Sequence, residues 1–141
     1  MIALGQHTYV DEFNKAVDNL VFPDGKSRVE LALEKTKTDI LTKSGGARVG
    51  AEKVAIVVTG GARAYEEDEA TSLENAVQAL QEEGIRVIMV AVGENVDISE
   101  LQRIVTDDND LITTRTYDEL LVKSKQIVEH TCQSIGAMIL T

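Results

Sequence analysis

The sequence predicts an α/β fold: a mostly parallel sheet between helical layers, in a three-layer Rossmann-like arrangement with one antiparallel edge strand. Three observations predict it. Two uncharged apolar runs, at residues 54–58 and 87–92, do not alternate with polar residues, as expected of strands covered on both faces. Amphipathic helical patterns separate the apolar runs, and such alternation builds parallel sheets. The 141 residues are 43% hydrophobic and 27% charged, the composition of one globular domain with its own core.

Taken in order, residues 2–5 read as a buried strand, and residues 9–13 alternate polar and apolar, so the two are expected to form a hairpin with the second on the sheet edge. Val29, Ala32, Leu33, Thr36 and Ile40 then recur at helical spacing. Residues 44–52 hold Gly45, Gly46 and Gly50 and read as a loop before the strand at 54–59. Leu73, Ala76, Val77 and Leu80 mark the next helix, and residues 86–93 the next strand. Ile98, Leu101 and Val105 mark a short helix before a strand at 111–114. A final helix carries Leu120, Ser124, Ile127, Val128 and Thr131 on one face.

Each helix opens on a capping box, a short polar residue followed three positions later by Glu: Ser27 and Glu30, Thr71 and Glu74, Asp97 and Glu100, Thr116 and Glu119. Gly45-Gly46 and Gly84 fall where helix C-caps belong. Residues 1–132 form the expected domain, and residues 133–141 are left as a tail without clear pattern.

Composition excludes several function classes. With 14 Lys and Arg against 24 Asp and Glu, the net charge of −10 argues against nucleic acid or anionic membrane as partner. No apolar run approaches the roughly 20 residues of a membrane span, so no membrane insertion is expected. The opening apolar run is too short to be a signal peptide. The single cysteine, Cys132, allows neither an internal disulfide nor a cysteine zinc site.

Candidate chemistry is equally sparse. Asp24-Gly25-Lys26-Ser27 ends like a phosphate-binding loop, but Leu20 stands where that motif needs glycine, and Pro23 interrupts any preceding strand. No strand is followed by a dinucleotide-binding glycine pattern. His130 and Cys132 are two apart on a helix and point about 200° apart, so they share no metal. His7 stands alone at the end of an expected strand. The acidic run Glu66-Glu67-Asp68-Glu69 reads as a solvated loop without the ligand spacing of a calcium site. No catalytic set emerges, and the chain is expected not to be an enzyme.

The text at residues 44–61, SGGARVGAEKVAIVVTGG, resembles the entry to the fourth strand of von Willebrand factor type A domains, where a Gly-Ala-Arg-x-Gly loop leads into an apolar strand ending Thr-Asp-Gly. AVQALQEEGIRVIMVAVGE is similar to that family's next helix and strand, and DISELQRIV with LITTRTYDELL to the following helix, strand and final helix. MIALGQHTYVDEF resembles its second and third strands, and DGKSRVELALEKT the entry to its third helix. The resemblance spans residues 1–132 and leans toward extracellular-matrix members.

It implies a sheet ordered 3-2-1-4-5-6 in which this chain lacks the first, central strand and the first helix, with strands two and four either closing up or leaving a gap. An incomplete domain from a longer protein is the expectation. The family holds a divalent cation, usually magnesium, at the carboxyl edge of the sheet, through ligands from three loops. The Asp-x-Ser-x-Ser loop is absent here, and Gly60 stands where the family has an aspartate. Only Ser27 matches a ligand position, and its capping box with Glu30 accounts for it fully without a metal. No cofactor is therefore expected, the cation being implied only for a complete member.

Gly60 and Gly61 have two readings, a tight turn needing permissive dihedrals or a bare backbone surface facing a partner. The resemblance also implies a disulfide from Cys132 to a cysteine outside this chain, the alternative being a free thiol. The function implied is a protein-binding adhesion module with a degenerate metal site, secreted as part of a longer protein, its ligand a matrix or collagen-like protein. A structural assembly segment of a matrix protein and a nucleotide-binding enzyme are the alternatives.

Overall fold

The computed structural model describes residues 2–21, 28–60 and 67–134, with the backbone alone at 67–72 and 133–134. The chain divides into two compact units, Met1–Ala51 and Glu52–Thr141.

The second unit holds the sheet. Its elements are β1 (Lys53–Thr59), α3 (Glu67–Gln81), β2 (Ile85–Val92), α4 (Ile98–Ile104), a 3-10 turn (Asp108–Asp110), β3 (Leu111–Thr114) and α5 (Tyr117–Ser134). The strands lie in the order β1-β2-β3, all parallel. Lys53 pairs with Ile85 through to Thr59 with Ala91, and Met89 pairs with Leu111 through to Val92 with Thr114. These three strands match those expected at residues 54–59, 86–93 and 111–114 within one residue at each end.

Two crossovers in the same direction put α3 and α4 on one face of the sheet. There Val77 and Leu80 of α3 and Leu101 and Ile104 of α4 are buried. On the other face Ile88, Val90 and Val92 meet Ile127 of α5, with Val54, Ile112 and Leu120 packed alongside. β2 is thus enclosed from both faces and both edges, as its unbroken apolar run requires.

The caps explain where helices begin and end. Asp97 accepts the Glu100 amide at 3.0 Å, and Thr116 accepts the Glu119 amide at 3.1 Å while the Glu119 carboxylate accepts the Arg115 amide at 2.7 Å. Gly84, at φ +72°, turns the chain from α3 into β2. Helix α3 starts earlier than its expected cap at Thr71: Glu67, Asp68 and Glu69 form its first turn rather than a loop. Acidic residues there complement the positive end of the helix dipole.

The first unit corrects the expectation for the amino-terminal segment. Residues 2–5 are not a strand but a turn, in which the Gln6 side chain accepts the Ala3 amide at 2.9 Å and Gly5 takes φ +73°. Residues 9–13 are not an edge strand either, because they open helix α1 (Val10–Asp18). The short alternation there was the start of a helical stripe, Val10, Phe13 and Val17, with Asp11 and Glu12 in the first turn. Among the described residues no antiparallel edge strand occurs, and β2 is the one strand that pairs with β1. Helix α2 (Val29–Lys35) follows and continues as a π-helical turn, Thr36–Ile40, before the glycine loop.

Candidate functional site

Because the three strands are parallel, their carboxyl ends share one edge. β1 ends at Thr59, β2 at Val92 and β3 at Thr114, so Gly60, Gly93 and Arg115 are the first residues beyond them. An open cleft of about 310 Å³ lies at the β2 and β3 ends, lined among others by Gly93, Glu94, Thr114, Arg115, Glu119 and Lys123. Its walls are tied together. The Gly93 amide donates to the Thr114 carbonyl at 2.8 Å, and the Lys123 ammonium donates to the Thr113 carbonyl at 2.9 Å. The amide of Arg115, and then Lys123, hold the Glu119 carboxyl below its ordinary pKa.

Gly60 is exposed, and its φ lies outside the left-handed region. A side chain built there would sit 3.6 Å from the Tyr117 hydroxyl and 3.7 Å from the Val92 carbonyl, ordinary contact distances. The turn therefore does not require glycine, which corrects the dihedral reading of Gly60. What glycine does at this position is remove a side chain from the carboxyl edge. Ser27 and Gly61 lie outside the described residues, as does the Asp24–Ser27 segment with its resemblance to a phosphate loop. Among the described residues, no group of three or more His, Cys, Asp or Glu could hold a metal ion. Gly60 itself brings no oxygen from a side chain to such an ion.

Cys132, half-buried near the end of α5, is a free thiol in this chain. His130 turns away from it, toward a charged cluster that sequence patterning missed. Asp110 is 3% exposed at the amino-terminal edge of the sheet and accepts from Arg86 Nε at 3.0 Å and, by a short bond, from Arg86 Nη2. His130 Nε2 lies 3.0 Å from the same carboxylate and 2.9 Å from Arg86 Nη2. A single Nε2 cannot both donate to the carboxylate and accept from the guanidinium, so its tautomer selects one partner. The cluster joins β2, the 3-10 turn and α5 at the edge opposite Gly60. The available signal was Arg86 itself, the one charge at the mouth of an apolar strand, but its partners lie 24 and 44 residues away.

No helix among the described residues is long and apolar enough to cross a membrane. Comparison with known proteins places the chain. The family model for the von Willebrand factor type A domain matches residues 1–126. A Xenopus laevis relative, von Willebrand factor A domain-containing protein 2, is 26% identical over 133 residues, covering 94% of this chain and 16% of the relative. Two solved structures of proximal thread matrix protein 1 from the mussel byssus superpose with TM-scores of 0.81 and 0.80 at 21% identity, over 93% of this chain and 33% of the mussel chain; the second has a zinc-occupied MIDAS motif. This chain thus spans about a third or less of the length of these relatives. On the family match over nearly its whole length, the chain belongs to the von Willebrand factor type A domain family.

Proposed function

We propose that this chain is a non-enzymatic protein-binding module of an adhesion or matrix protein, secreted as part of a longer polypeptide. It engages its partner at the carboxyl edge of the sheet, around Gly60, without a bridging divalent cation. The observation that carries the reading is Gly60. The backbone there would accept a side chain, yet none is present at the end of a strand where open α/β sheets bind their ligands. A hard cation needs several oxygen ligands, and Gly60 supplies none. Similarity to a mussel byssal matrix protein supports a matrix setting, and the partner we assign within it is a matrix or collagen-like protein. In the same setting Cys132 pairs with a cysteine outside this chain.

Surface plasmon resonance against immobilised collagen and other matrix proteins, with and without EDTA, tests this. Binding is expected to survive EDTA and to weaken at least tenfold in Gly60→Arg, which fills the bare edge. Binding abolished by EDTA overturns the cation-free reading. Binding untouched by Gly60→Arg moves the contact elsewhere and favours a structural assembly segment.

A further inference from the structure

Arg86, Asp110 and His130 form a closed triangle at the amino-terminal edge of the sheet. The Asp110 side chain is 5% exposed, Arg86 23% and His130 25%. Both Asp110 oxygens go to Arg86, Oδ2 accepting from Nε and Oδ1 from Nη2. His130 Nε2 lies 3.0 Å from Oδ1 and 2.9 Å from Nη2, so one ring nitrogen faces an anion and a cation at once. The three residues come from three elements: β2, the 3-10 turn that leads into β3, and the far end of α5. The proton on Nε2, or its absence, therefore decides which of the two other elements holds the end of α5.

Counting hydrogens shows which partner the neutral ring serves. Arg86 Nη2 carries two hydrogens. One goes to Oδ1, and Nε2 is in reach of the other. Nη1 is already buried without a partner among the described residues, so Arg86 is short of acceptors. Oδ1 is bonded already, and an oxygen with one lone pair unused is cheaper than a buried N–H with no acceptor. The neutral ring is thus best served with its proton on Nδ1 and a bare Nε2 that accepts from Arg86. A second proton closes that option, because both ring nitrogens then donate. Nε2 turns from acceptor to donor, and the carboxylate at 3.0 Å receives a charge-assisted bond.

We propose that His130 is a proton-operated clasp: neutral, it holds the end of α5 to β2 through Arg86; protonated, it holds that end to the turn before β3 through Asp110. The charged groups around it are Arg86 from β2, Asp110 from the turn and Asp107 at the start of that turn, which feels both Arg86 and His130. Glu129 adjoins it on α5. The clasp works at the edge opposite Gly60, so it stands or falls separately from partner binding there.

Long-range proton–nitrogen correlation spectra of the histidine rings, recorded on the unaltered chain from alkaline into acid solution, test this. The His130 signals are those lost in His130→Gln and kept in His7→Gln. With the ring neutral, Nε2 is expected at the shift of a bare ring nitrogen and Nδ1 at that of a protonated one. As the ring takes its second proton, Nε2 is expected to move to the protonated shift while Nδ1 stays. The Arg86 Nη2 hydrogens are then expected to exchange with water about tenfold faster relative to those of exposed Arg103, the effect of losing one hydrogen bond. A neutral ring with its proton mainly on Nε2 overturns the proposal, because the second proton would enter at Nδ1 and leave both contacts as they were. Relative Arg86 exchange that stays constant across the titration overturns it as well.

Discussion

β1 and β2 are written in nearly the same letters and live in different surroundings. Residues 54–58 read VAIVV and residues 87–92 read VIMVAV, and neither run carries a charge. In β2, residues 87–92 are all buried, whereas in β1 only Ala55 is buried and Ile56 and Val58 are exposed. The difference comes from neighbours. β2 has a strand on each side and a helix on each face; among the described residues β1 has one strand beside it. An apolar run therefore shows that a strand is suited to cover, while the order of strands decides which of them receives it.

The largest test of this contrast is a pair of substitutions. Ile88→Ala removes a fully buried side chain from the α5 face and is expected to cost about 2–5 kcal/mol. Val58→Thr, on the same face but at the edge, is expected to stay within about 0.5 kcal/mol. Urea denaturation of both variants measures the difference, and equal losses would show β1 to be as covered as β2. Next in size is the charged cluster at the amino-terminal edge. Asp110→Asn leaves Arg86 without its carboxylate, in a chain where Arg86 Nη1 is already buried without a partner among the described residues. Breaking a fully buried pair costs about 3–5 kcal/mol, and with Arg86 and His130 partly exposed about 2 kcal/mol is expected, read by the same titration.

The sheet half of the molecule was legible because its signals are redundant. Val87 to Val92, the Gly84 turn and the Asp97 and Thr116 caps each point to the same boundaries, and parallel pairing follows from alternation with helices. The amino-terminal segment was not, because residues 9–13 satisfy a two-residue period and a helical period equally over so short a window. Phe13 and Val17 complete the helical stripe and decide it. At the site, the missing side chain at Gly60 was visible in the sequence. Its conformation was not: glycine suggests a strained turn until its φ is known. The Arg86–Asp110–His130 cluster was hidden because three residues separated by 24 and 20 positions meet only after the sheet is assembled.

Smaller effects sharpen the contrast between glycines that serve conformation and the glycine that serves the surface. Gly84→Ala forces a side chain into φ +72° and is expected to cost about 1 kcal/mol. Gly60→Ala is expected to stabilise by about 0.5 kcal/mol, because its backbone accepts a Cβ and the unfolded chain loses freedom. Opposite signs in a thermal melt support the surface role of Gly60, and a loss at both positions would return it to the turn reading.

The smallest effect is in acid, where the two edges of the sheet can be compared through Glu119 and Asp107. Both carboxyls sit below their ordinary values: Glu119 chiefly through the Arg115 amide, Asp107 chiefly through the Asn109 amide, with Arg86 and His130 adding to the latter. A depressed carboxyl stabilises the folded chain above its unfolded pKa, and that contribution fades as pH falls through the lower folded value. Glu119→Gln is therefore expected to lower the melting temperature at neutral pH and to match the parent chain once the pH is below both values of the group. Asp107→Asn should converge over the acidic range set by its own depressed value. Since the Glu119 carboxylate closes the capping box of α5 beside the cleft, a gap between variant and parent that persists in acid would mean that Glu119 acts there through packing rather than charge.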